Sequence, residues 1–178
     1  MRTRLGLWAV LMTAGAVLPA AAVAANTLTI SPPSTAAFSV TLNGADQTGV
    51  TSLAIPVSYT SNAQNKFATS GWKITATSTV FAGTTTSRTL STTATTVSVT
   101  DDPSCTDQNC SNPSNSVSYP LTLPAGTTAP PAVAIVNAAP NTGVGTNTET
   151  VQISVAVPAN TYADTYQSIL TLAAVEGP

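Results

Sequence analysis

Glu149-Thr150-Val151-Gln152-Ile153-Ser154-Val155-Ala156-Val157 is the stretch that decides the fold. Val151, Ile153, Val155 and Val157 fall on one side of an extended chain, and Gln152, Ser154 and Ala156 fall on the other. A side-chain period of two, with β-branched residues on one side, specifies a strand with one buried and one wet face. Trp72, Ile74 and Ala76 alternate with Lys73, Thr75 and Thr77 in the same way.

Outward from these two stretches the pattern recurs. Strands are expected at residues 27–31, 37–42, 52–60, 71–82, 88–100, 116–123, 132–138, 149–157 and 166–175. Turn-forming residues separate them: Pro32-Pro33, Asn43-Gly44, residues 61–65, 101–114, 124–131, 140–145 and 158–164. Most of the 13 prolines and 10 glycines sit at these joints, the spacing of a sandwich or barrel. The Thr-rich run 84–100 favours β structure but has little to bury before Val97 and Val99, so it reads as an edge pair or a loop. The sequence shows neither a helical period nor a repeat of solenoid length. The expected fold is all-β: a single β-sandwich, Ig-like or jelly-roll-like, of about 8–9 mostly antiparallel strands.

Residues 1–24 read as an export signal, leaving 25–178 as one secreted domain. Arg2 and Arg4 precede an apolar run from Leu5 to Leu18, and Ala22-Val23-Ala24 has the small residues of a cleavage site. The run is shorter than the roughly 18 residues a membrane span needs. The mature part is thus expected to be extracellular and without a membrane span.

Composition narrows the chemistry. The chain has no histidine, and charged residues make up 7% of it. Beyond the leader, only Lys66, Lys73 and Arg88 stand against seven carboxylates. That leaves no basic footprint for nucleic acid or an anionic membrane. Without histidine a Ser–His–Asp triad cannot be assembled, and Lys66 and Lys73 sit in no Ser–Lys motif. Asp46, Glu149, Asp164 and Glu176 show no paired spacing. A non-enzymatic protein without a cofactor is expected. Hydroxyls rather than charges must keep its surface wet, and low charge leaves strand edges poorly defended against pairing.

Cys105 and Cys110 are the only cysteines. In an exported chain they are expected to form a disulfide that shapes a local turn. Asp101, Asp102 and Asp107 lie around them. Such oxygen donors form a weak calcium candidate, although the spacing fits no EF-hand and suits an ordinary turn equally well. Trp72, Tyr162 and Tyr166 are the candidate ligand-binding rings, since aromatic rings are common recognition anchors. For Trp72 core packing is the competing role, because Ile74 continues its face. Tyr162 and Tyr166 flank a turn, where one can act as a corner tyrosine that bonds back to the backbone.

Two segments resemble the conserved parts of the WxL-domain family of bacterial cell-surface proteins. Ser70-Gly71-Trp72-Lys73-Ile74-Thr75-Ala76-Thr77, followed by Phe81, resembles the family's glycine–tryptophan–x–leucine strand, with Ile74 in the leucine place. The ending from Pro158 to Pro178 resembles its terminal run of tyrosine, threonines and closing proline, but Leu172-Ala173-Ala174 lacks the second tryptophan. Phe38-Ser39-Val40-Thr41-Leu42-Asn43-Gly44 resembles its opening strand. The resemblance implies non-covalent attachment to a cell wall, with peptidoglycan or another envelope glycan, or other surface proteins, as partners. If the tryptophans carry that binding, half of it is gone here; if they are core residues, Leu172 is a tolerable change of volume.

A second function also follows from the low charge. Thr27, Leu28, Thr29 and Ile30, set off by Pro32-Pro33, form a strand-exchange candidate. Donated to a neighbouring copy, such a strand would build a homopolymeric filament or pilus-like assembly. A strand ordered in its own sheet favours wall attachment; one reaching outward favours the filament.

Overall fold

The computed structural model describes residues 26–61, 69–99, 104–105 and 110–177. The signal segment, Lys66, Asp101, Asp102 and Asp107 lie outside the described residues. The described chain is all-β, with mostly antiparallel sheets packed face to face.

The long strands are β2 (Gln47–Thr60), β3 (Trp72–Thr79), β9 (Val133–Ala138), β10 (Gly145–Val157) and β12 (Leu170–Glu176). Shorter ones are β1 (Thr27–Ile30), β4 (Ala82–Gly83), β5 (Thr95–Val99), β6 (Ser104–Cys105), β7 (Leu121–Thr122), β8 (Ala125–Gly126) and β11 (Tyr166–Gln167). The first sheet runs β1-β2-β10-β5-β7, with β6 beside β10 as well. The second runs β12-β3-β8, with β9 also on β3, and β11-β4 form a small separate pair. All pairings are antiparallel except β3 with β8.

The stretch that decides the fold lies at the centre. β10 pairs along its whole length with β2, from Gly145↔Tyr59 to Val157↔Gln47. Both send alternate side chains inward: Leu53, Ile55, Val57 and Tyr59 from β2, and Val151, Ile153 and Val155 from β10. Trp72, Ile74 and Ala76 of β3 meet them from the facing sheet, joined by Ile135, Val136 and Ala138 of β9. A bulge opposite Ile74/Thr75 leaves Ile135 without a register partner, so Ile135 and Val136 both turn inward.

Three expected strands are corrected. Residues 37–42 keep the expected alternation, with Phe38, Val40 and Leu42 half-buried, yet belong to no ladder. Phe38 lies where a Cβ on Gly49 would be and meets Phe81 edge-on at 6.3 Å. The alternation there reports an extended chain with one covered face, which does not require backbone pairing. Of 116–123 only β7 is strand, because Asn137 and Asn115 take up backbone groups in the segment before it: Ser116 N–H donates to Asn137 Oδ1 at 2.7 Å, and Val117 N–H to Asn115 Oδ1 at 3.1 Å. Of the described residues 88–99 only β5 is strand: Leu90 and Ala94 before it are buried in the core and Thr89 makes a lone bridge to Ala82, without forming a ladder.

β1 ends where β2 contains Pro56. Ile30 pairs with Val57, and Ser31 N–H donates to the Pro56 carbonyl at 3.0 Å. The missing N–H of Pro56 faces this edge, where its loss costs β2 no bond to β10.

Candidate functional site

The candidate rings take three different positions. Trp72 is fully buried, and its Nε1–H donates to the Gly143 carbonyl at 2.8 Å. Gly143 has φ +68°, and a Cβ there would come within 2.6 Å of Trp72 Nε1. Its glycine is therefore required both by backbone conformation and by the indole. With no ring face exposed, Trp72 cannot stack on a ligand in this structure; it is a core residue. Tyr166 is half-buried against the core and donates its hydroxyl to the Tyr162 carbonyl at 3.2 Å, the bond of a corner tyrosine. Tyr162 is 54% exposed. The Arg88 guanidinium lies 3.5 Å from its ring centroid, covering one face by a cation–π contact.

Asp164 holds this turn rigid. Its carboxylate accepts the backbone N–H groups of Thr85, Thr86 and Thr165, at 3.2, 2.9 and 2.7 Å. It also accepts the hydroxyls of Thr84, Thr85 and Thr86, at 3.3, 2.9 and 2.8 Å. Led by the Thr86 hydroxyl, these bonds hold its carboxyl well below the usual range. A carboxylate so depressed, with its lone pairs engaged, is a poor general base. The β4–β11 pair and the Gly83 N–H to Arg88 carbonyl bond, 2.8 Å, fix the base of the same turn. Gly83 admits this arrangement because a Cβ there would collide with Asp164 and come within 2.6 Å of Thr86 Oγ1. The product is a preorganised surface bearing an aromatic ring, a guanidinium and several threonine hydroxyls.

Cys105 and Cys110 form a disulfide with Cα atoms 5.8 Å apart. It ties β6 to the segment that bonds back to the start of β10 through Ser111 N–H and the Val144 carbonyl, 3.0 Å. β1 lies in its own sheet: Leu28 and Ile30 pack towards the core, and Thr27 and Thr29 are exposed. A second cluster secures its start. Asn26 Nδ2 donates to Glu176 Oε1 at 2.5 Å, and the buried Tyr59 hydroxyl donates to the same oxygen at 2.7 Å. These bonds, Asn26 first, lower the Glu176 carboxyl, while burial first and then Glu176 raise the Tyr59 phenol.

Inspection of the sequence missed the buried polar pair on β10. Asn147 and Glu149 are 0% and 1% exposed, inside the sandwich. Parity was the available signal, since both stand on the same side of the strand as Val151. Burial pushes the Glu149 carboxyl up to about 7.

Comparison with known proteins yields no relative: no protein-family model, curated protein or solved structure gives a significant match to this chain.

Proposed function

We propose that this chain is a non-enzymatic, secreted surface protein that attaches non-covalently to the bacterial cell wall, recognising its glycan with the turn around Tyr162. The observation that carries the proposal is the exposed Tyr162 ring, held on a turn that Asp164 and Tyr166 make rigid. Sugars present C–H faces to aromatic rings and hydroxyls to polar groups, and a fixed site loses little entropy on binding them. The export signal and the likeness to WxL domains add support. The buried Trp72 moves recognition away from the tryptophan motif. The order of β1 in its own sheet favours this function over the filament.

Sedimentation of the purified protein with isolated Gram-positive walls tests the proposal. Retention on the walls at low and moderate salt, lost in Tyr162→Ala, supports it. A protein that stays in the supernatant refutes it.

A further inference from the structure

Asn147 and Glu149 stand two residues apart on the inner face of β10, where successive inward side chains are roughly 7 Å apart. Asn147 Nδ2 donates to the Val144 carbonyl at 3.4 Å, which turns its Oδ1 away from that bond. Asn147 Oδ1 and Glu149 Oε1 are both buried and have no hydrogen-bond partner among the described residues. Both orphans are acceptors. An ionised Glu149 would leave two unpaired acceptors and an uncompensated charge in the core, a costly arrangement.

One proton removes all three problems. We propose that Glu149 is a neutral acid in the folded protein and that its O–H donates to Asn147 Oδ1, making the pair a buried proton-binding site. The alternative occupant of two oxygen acceptors is a hard cation. Calcium takes about six to eight oxygen ligands, whereas among the described residues no group of three or more acidic, cysteine or histidine side chains is placed to hold a metal.

The surroundings fit a neutral acid. Tyr119, before β7, is the titratable group that interacts with Glu149; burial raises its phenol and its hydroxyl bonds to the Ile135 carbonyl, so it stays neutral. β2 places Ile55 opposite Glu149, and its Tyr59 bonds to Glu176 instead. β5, β6 and β9 carry no titrating side chain among their described residues, since Cys105 is in the disulfide.

The consequence is a fold that weakens as it is made alkaline. The folded carboxyl, at about 7, lies above its ordinary 4.5. The stabilisation is therefore complete below the ordinary value and is lost as pH rises through the folded one. Across that window the folding constant falls up to about 300-fold.

Urea unfolding of the full mature chain from about pH 4.5 to pH 8.5 tests this, with Glu149→Gln beside it. Glutamine keeps the shape and supplies a donor to Asn147 without titrating. The wild-type midpoint should fall with rising pH, the variant should lack this fall, and the variant should be the more stable above pH 7. Parallel curves overturn the proposal. So does wild-type stability at pH 8 that millimolar calcium restores and Glu149→Gln abolishes, which would make the pair a metal site. If the variant does not fold, infrared spectroscopy of the wild type near pH 6 decides: a protonated-carboxyl band supports the proposal, and its absence overturns it.

Discussion

Trp72→Phe separates a core tryptophan from a ligand-binding one. Trp72 is 0% exposed, and its indole N–H is bonded to the Gly143 carbonyl at 2.8 Å. Phenylalanine fills most of the site but removes that donor. Leaving a buried carbonyl unsatisfied costs about 1–3 kcal/mol, and the smaller ring leaves space between the sheets that costs about another 1 kcal/mol. The expected loss is about 2–4 kcal/mol, or roughly 5–15 °C in Tm for a domain of this size. Urea or thermal unfolding followed by circular dichroism measures it. Wall sedimentation is then compared at a temperature where both proteins are folded, and the variant should be retained like the wild type. An unchanged midpoint combined with lost retention refutes the reasoning, because it would make Trp72 a contact to the wall.

Asp164 is held below the ordinary carboxyl range by bonds to Thr86, Thr85 and Thr165, so its stabilisation is present above that range and lost as pH falls below about 4. Asp164→Asn should therefore lower Tm at pH 7 and converge with the wild type in strong acid; an equal deficit at every pH contradicts this. The disulfide closes a loop with a sequence separation of 5, so Cys105→Ser with Cys110→Ser should cost no more than about 2 kcal/mol and keep the β-type circular dichroism spectrum. A double variant that does not fold would show that the bond holds more than a turn. Gly143→Ala combines φ +68° with a Cβ 2.6 Å from Trp72 Nε1, whereas Gly177 has φ +91° and open space. Calorimetry should find Gly143→Ala the more destabilising by at least about 2 kcal/mol; equal losses would mean that the indole yields to the new methyl.

How much was legible follows from what a sequence pattern measures. Val151, Ile153, Val155 and Val157 alternate with polar residues because one face of β10 is buried, so the strand and the two-layer fold can be read from them. The same rule gave a ladder at 37–42 where the structure has only an extended, half-covered chain. Alternation reports burial and carries no information about backbone partners. The Tyr162–Tyr166 turn was visible as a pair of rings beside Pro158, but its rigidity was not. That comes from Asp164 gripping Thr84, Thr85 and Thr86, some 80 residues away in sequence. Glu149 stood at the start of the expected strand and Asn147 before it, so neither polar side chain was read as inward; the register with β2 shows that β10 continues through both.

The most direct test of wall attachment at the Tyr162 turn is sedimentation of wild type and Tyr162→Ala with purified peptidoglycan. Tyr162 is 54% exposed and its ring contact is the Arg88 guanidinium, so the variant should unfold within about 1 kcal/mol of the wild type. Retention of the wild type, with at least about a tenfold weaker affinity for the folded variant, is the expected result. Equal retention of the two proteins, or no retention of either, would contradict it.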